Sequence, residues 1–137
     1  MKKHLLIIAA VIILSALTLT GCKLSDEEKA VVGTYELTEI SVKGYPNITK
    51  NTYDYFTIEF KSNKKCTIKS KAGVTTYEAS ASWKINSDGE IEVITRKGFA
   101  TATEKYKLDG DILSGTNTGV SDGVSLTMTV KMKRITE

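Results

Sequence analysis

From Gly33 onward the chain alternates apolar and polar positions with a period of two, broken by turn residues roughly every eight to twelve positions. The stretch 74–85, "VTTYEASASWKI", shows the pattern at its clearest. Tyr77, Ala79, Ala81, Trp83 and Ile85 fall on one face, with Glu78, Ser80, Ser82 and Lys84 on the other. A second such run, 124–134, puts Val124, Leu126, Met128, Val130 and Met132 on one side. Successive side chains of a strand point to opposite faces, so each run predicts a half-buried strand. Sustained helical periodicity is absent from this region.

The same reasoning places a first strand at Gly33–Val42 and a second at about Tyr53–Phe60, with Phe56, Ile58 and Phe60 on one face. A short third strand covers about Cys66–Ser70, and the run 74–85 is the fourth. The fifth is Glu90–Thr95, the sixth about Ala100–Leu108, and the seventh Asp111–Ser114. The run from Val124 is the eighth. In the first strand the apolar phase passes from Tyr35 and Leu37 to Ile40 and Val42, a slip that predicts a bulge or sharp bend. Segments 43–52 and 115–123, rich in Gly, Asn, Thr and Asp, read as the two longest loops. "NSDG" and "DGD" carry hairpin turn chemistry. Tight hairpins make neighbours in sequence antiparallel. An eight-strand meander removes its sticky edges by pairing its first strand with its last. The predicted fold is therefore all-β: a single antiparallel up-and-down barrel over residues 33–137.

Residues 1–21 are of another kind. Lys2 and Lys3 precede a nearly unbroken apolar run, Leu5–Leu19, which ends at Thr20, Gly21 and Cys22. A positive head, an apolar core and small residues before a break read as a secretory signal. The run is short for a membrane span, which needs about 20 residues. Leu19-Thr20-Gly21-Cys22 resembles the lipobox of bacterial lipoproteins, in which the cysteine thiol accepts a diacylglyceryl group and becomes the new N-terminus. The resemblance implies lipidation at Cys22, attachment to a membrane through that lipid, and a location on the extracytoplasmic face. Residues 22–32 then form a tether. Within it Ser25 and Glu28 have capping-box spacing, compatible with a short helical turn or with a plain spacer.

Gly33-Thr34-Tyr35 after a short helical lead-in, followed by a hairpin meander with an amphipathic last strand, resembles the lipocalin-like domains of small bacterial lipoproteins. Lipocalins carry Gly-x-Trp at this place, and Tyr35 stands where the Trp would be. The resemblance implies an eight-strand barrel open at one end and a small apolar ligand. The inward-facing candidates are Phe56, Phe60, Tyr77, Trp83, Tyr106 and Met128, with Ala79, Ala81, Ala100 and Ala102 leaving space beside them. Small residues opposite aromatics suit either a cavity or a filled, tapered core. Glu104 shares the inward phase of the sixth strand. It is either an acid among apolar groups, able to fix a polar ligand group, or a residue at the mouth reaching water.

Charge and chemistry narrow the function further. The chain has 19 basic and 16 acidic residues; without Lys2 and Lys3 the basic count is 17. So slight an excess is no nucleic-acid footprint. The single histidine is His4, within the leader. The barrel domain therefore lacks the commonest general base and a histidine metal ligand, and neither catalysis nor a metal or cofactor is expected. Cys66 lies in phase with Ile68 and reads as a packing thiol, a nucleophile being the alternative. Asp109 and Asp111 flank Gly110 in a turn without a full calcium loop. Lys61, Lys64, Lys65, Lys69 and Lys71 cluster at the second hairpin, where they suit either an anionic lipid surface or plain solvation. A non-catalytic envelope protein-interaction module with a filled barrel core, using segments 43–52 and 115–123 or an outer face, is the alternative to ligand binding, and a packed interior would favour it.

Overall fold

Ser25 opens the folded part of the chain. Its hydroxyl accepts a bond from the Glu28 amide at 3.2 Å, and the Glu28 carboxylate accepts one from the Ser25 amide at 3.0 Å. This reciprocal cap starts a six-residue helix, α1 (Asp26–Val31). The computed structural model describes residues 23–121 and 123–136; the leader, Cys22, Asp122 and Glu137 lie outside them. Eight strands follow α1: β1 (Gly33–Val42), β2 (Tyr55–Phe60), β3 (Lys65–Ala72), β4 (Thr75–Ile85), β5 (Ile91–Lys97), β6 (Ala100–Asp109), β7 (Ile112–Ser121) and β8 (Val124–Thr136). Each pairs antiparallel with the next, and β1 pairs with β8 to close the barrel.

The phase slip in β1 is a bulge. Leu37 pairs with Met132 and Glu39 with Lys131, so Thr38 has no partner of its own. Its hydroxyl donates to the Lys131 carbonyl at 3.0 Å instead. The extra residue moves burial from Tyr35 and Leu37 to Ile40, letting one strand face β2 with its first half and β8 along most of its length.

At the end where β1 begins, the interior is filled. Tyr35 meets Phe60 edge to face at 5.6 Å, and Phe60 meets Trp83 likewise at 5.8 Å. Ile58, Ile91, Val93, Leu113 and Met132 are almost wholly buried around them. Side chains of this size contribute about 1.5–3 kcal/mol each when removed from water. Helix α1 covers this closed end with Val31. Arg134 ties the helix down: its guanidinium donates to the carbonyls of Ala30 and Val32, bonds Asp111 at 3.1 Å, and lies 4.9 Å above the Tyr35 ring. The Tyr35 hydroxyl donates to the Val31 carbonyl at 2.8 Å. Three carbonyls at the helix C-terminus thus find donors, as buried backbone requires. Lys64 pairs with Glu28 and sits 4.8 Å over Trp83, a second clamp on the same end.

The wall is less regular toward the other end. The β5–β6 ladder runs its full length, Ile91–Lys97 against Tyr106–Ala100. By contrast, β4 meets β5 only over Ser82–Ile85, and β6 meets β7 only over Lys107–Asp109. The outer half of the β5–β6 hairpin is therefore paired with itself and parted from both neighbours. At the β6–β7 seam one side chain replaces a missing rung: the Asn117 amide accepts from the Lys105 amide at 2.8 Å and donates to its carbonyl at 3.3 Å. Gly115 lets the seam close this far, since a Cβ there would come within 2.6 Å of the Lys105 carbonyl and 2.7 Å of the Tyr106 ring.

One sequence expectation is corrected here. Segment 115–121 is not loop but the outer half of β7, paired residue by residue with β8 as far as Ser121 and Val124. Its inward positions are Gly115, Asn117 and Gly119, so the apolar alternation that marks a strand is missing. The outward Thr116 and Thr118 hydroxyls instead bond to those of Thr129 and Thr127 at 3.0 and 3.1 Å. Threonine favours strands for this kind of cross-strand pairing.

Candidate ligand site at the barrel mouth

Burial falls strand by strand from the closed end toward the mouth, which is framed by segment 43–54 and by the turns at 73–74, 98–99 and Gly123. On β4, Trp83 and Ala81 are buried, Ala79 is half-buried, and Tyr77 is 54% exposed. On β6, Tyr106 is buried, Glu104 half-buried, and Ala102 and Ala100 exposed. On β8, Met132 and Val130 are buried, Met128 and Leu126 half-buried, and Val124 exposed. These residues all share the inward phase of their strands, as the register shows. The barrel is thus filled at its closed end, and its inward positions become steadily more exposed toward the mouth.

The sequence candidates divide along that line. Phe60, Trp83 and Tyr106 belong to the plug at the filled end, where they pack against each other's neighbours. Phe56 and Met128 are half-buried against it, nearer the mouth; Phe56 meets Tyr53 edge to face at 5.4 Å. Tyr77 corrects an expectation. It has the predicted phase, but it stands beyond the packed layer and its ring is largely in water, because its β3 partner is Ser70 and β5 has already parted from β4.

Glu104 falls between the two readings the sequence left open. It is half-buried, and the Tyr106 hydroxyl two residues along the same face donates to its carboxylate. Burial raises the ionisation of the Tyr106 phenol well above its usual range, and the adjacent Glu104 charge and bond add to this. Burial likewise pushes the Cys66 thiol up to about 12, with the charges of Glu104 and Glu59 adding and Lys61 opposing. Cys66 is therefore an inert packing thiol rather than a nucleophile. Ser70, buried at 8% exposure on β3, is a further polar group on the inward face, one the sequence reading passed over because serine carries no apolar phase.

The wall carries cavities where its strands part. One of about 400 Å³ lies at the β6–β7 seam beside Tyr106, Gly115 and Asn117. Another, of about 700 Å³, lies on the outer wall where β4 and β5 part, lined by Lys61, Lys65, Thr67, Ser80, Ser82 and Arg96. Among the described residues no group of His, Cys, Asp and Glu could hold a metal ion.

No protein-family model matches the chain, and the search of curated proteins finds no match. Solved structures do match. A bovine odorant-binding protein complexed with its natural ligand is 16% identical, with a TM-score of 0.52 over 82% of this chain and 75% of that one. A dog lipocalin allergen is 17% identical, with a TM-score of 0.49 over 77% of this chain and 74% of that one. At such identities the likeness concerns the fold, which is a lipocalin-like barrel of eight antiparallel strands closed between β1 and β8.

The two shifted groups set the alkaline behaviour of the fold. Unfolded, Cys66 and Tyr106 ionise near 9.0 and 10.0; folded, both hold their protons to higher pH. A raised native value stabilises fully below the unfolded value and is lost as pH climbs above it. The unfolding free energy from urea titrations should stay level, as far as these groups are concerned, up to about pH 9 and then fall, by at most about 1.4 kcal/mol per pH unit for each group. In Cys66→Ala the fall should begin about one unit higher, where Tyr106 alone contributes. An unchanged onset would show that the thiol is not shielded.

Proposed function

We propose that this protein is a lipoprotein, held at the extracytoplasmic face of a cell membrane by a lipid on Cys22, whose barrel mouth takes up a small apolar or amphipathic molecule. The observation that carries the ligand reading is the inward-facing apolar surface left in water at the mouth, above a floor of Phe56, Ile68 and Met128. A molecule seated there removes this surface from water, at about 25 cal/mol for each Å². The inward Ala79, Ala100, Ala102 and Gly119 are small and leave room for it beside the larger inward side chains. Glu104 and Tyr106 give the floor one polar contact, which suits an amphipathic ligand better than a pure hydrocarbon. The bovine protein of like fold holds a ligand, and the same use of the barrel is the reading made here. The site binds and releases; its groups are not arranged to make or break bonds in what they hold.

The membrane reading rests on the leader and on Cys22, with the tether from Cys22 to α1 too short to carry the barrel far from a bilayer. Cells grown with a radiolabelled fatty acid should label the full chain and not its Cys22→Ser variant; an unlabelled unaltered chain would contradict lipid anchoring. For the ligand, native mass spectrometry of protein purified from its host should show a bound small molecule released on unfolding. Ala102→Trp fills this room and should weaken a fluorescent fatty-acid probe roughly tenfold, a change of about 1.4 kcal/mol. Absence of any adduct, together with no probe binding by the unaltered protein, would contradict the ligand reading.

A further inference from the structure

The exposed apolar side chains are not scattered. Val74, Phe99 and Val120 are 101%, 110% and 76% exposed at three separate hairpin ends, all at the mouth. Tyr45, Tyr55, Tyr77 and Val124 stand around the same end, between 40% and 54% exposed. Among the described residues, only Ile112 and Ile135 of the exposed large hydrophobics lie at the closed end. Single exposed hydrophobics are ordinary on a soluble surface, but their gathering on one face marks a contact. Folding does not account for them. Val74 occupies a tight turn, where a β-branched residue is a poor choice, and Phe99 packs against no core residue.

The rim is also basic. Among the described side chains, Lys43, Lys50, Lys71 and Arg96 stand among these tips, against Asp54 and Glu78. Glu78 is already opposite Lys69 across the β3–β4 ladder. We infer that the mouth rim docks on an anionic lipid surface, with Val74, Phe99 and Val120 entering the headgroup boundary and the tyrosines and cations lying at its level. Shallow apolar insertion beside positive charge is the combination an anionic membrane attracts, and tyrosine favours that interface. A second copy fits less well, since two rims of the same sign would face each other. The parted outer half of the β5–β6 hairpin gives Phe99 freedom to adjust to the surface.

The chain enters the barrel at the closed end, through α1. Lys23, Leu24 and Ser25 span at most about 11 Å, while the barrel's tilted ten-residue strands carry the rim about 25 Å from that end. A lipid on Cys22 and the rim would therefore engage two different surfaces, one at each end of the barrel.

The test uses the chain from Lys23, which contains every core residue of the barrel. It should sediment with vesicles of mixed phosphatidylcholine and phosphatidylglycerol and not with phosphatidylcholine alone, and added salt should weaken it. The double variant Val74→Ser, Phe99→Ser should lose partitioning by roughly tenfold or more, with an unchanged far-ultraviolet circular-dichroism spectrum. Ile135→Ser, at the opposite end, should bind as before. Failure of the unaltered chain to sediment would overturn the inference, as would an equal loss in Ile135→Ser. So would concentration-dependent self-association that Phe99→Ser abolishes, which would make the rim a face between copies. Vesicle binding and fatty-acid probe binding are read separately, so either can fail without the other.

Discussion

Closing an eight-strand sheet on itself requires the first strand to pair with the last, and in this protein β1 does so across a bulge. It lies against β2 from Gly33 to Glu36 and against β8 from Thr34 to Val42. A straight strand would present its apolar residues to only one of these settings. The unpaired Thr38 resets the phase, so that Tyr35 and Leu37 face the plug while Ile40 continues the lining beside β8. Tyr35 then becomes the meeting point of the closed end. Its ring edge meets Phe60, its face lies under Arg134, and its hydroxyl holds the last turn of α1. Arg134 reaches it only because β8 is paired to β1, so closure of the barrel and capping by the helix depend on each other.

That arrangement concentrates packing at one end and leaves the other free. The plug from Tyr35 to Met132 is built of interlocked aromatics and branched residues, with the β1–β8 ladder nearly complete around it. Above it the ladders on both sides of the β5–β6 hairpin stop early, and the inward residues become small or polar: Ala79, Ala100, Ala102, Asn117 and Gly119. A side chain at such a position has little to pack against. The wall is therefore continuously paired below and parted above.

Much of this could be read from the residues. The limits of β1 and the slip within it follow from the apolar phase alone, while the Ser25–Glu28 spacing allowed a turn or a plain spacer and the structure has the turn. The run from Val124 announces β8, since its alternation leaves no other element possible. The outer half of β7 was hidden because Gly115, Asn117 and Gly119 occupy the positions where apolar residues would reveal a strand. One signal was available: a β8 of that length needs a partner as long, and Thr116 and Thr118 keep the period of two. Phase also predicted which way Tyr77 and Glu104 point but not how deep they sit, because depth depends on where β5 leaves β4 and β7 leaves β6. Nothing local in the sequence records where two strands part.

The central claim is that one barrel contains a rigid plug and a loosely paired mouth. Native-state hydrogen exchange, resolved by residue, tests it most directly. Amides of Tyr35, Ile58, Val93, Leu113 and Met132 should exchange only through global unfolding, while those of Thr101, Thr103 and Gly119 should exchange faster by roughly a hundredfold or more. Equal protection along the full length of β6 and β7 would contradict the account.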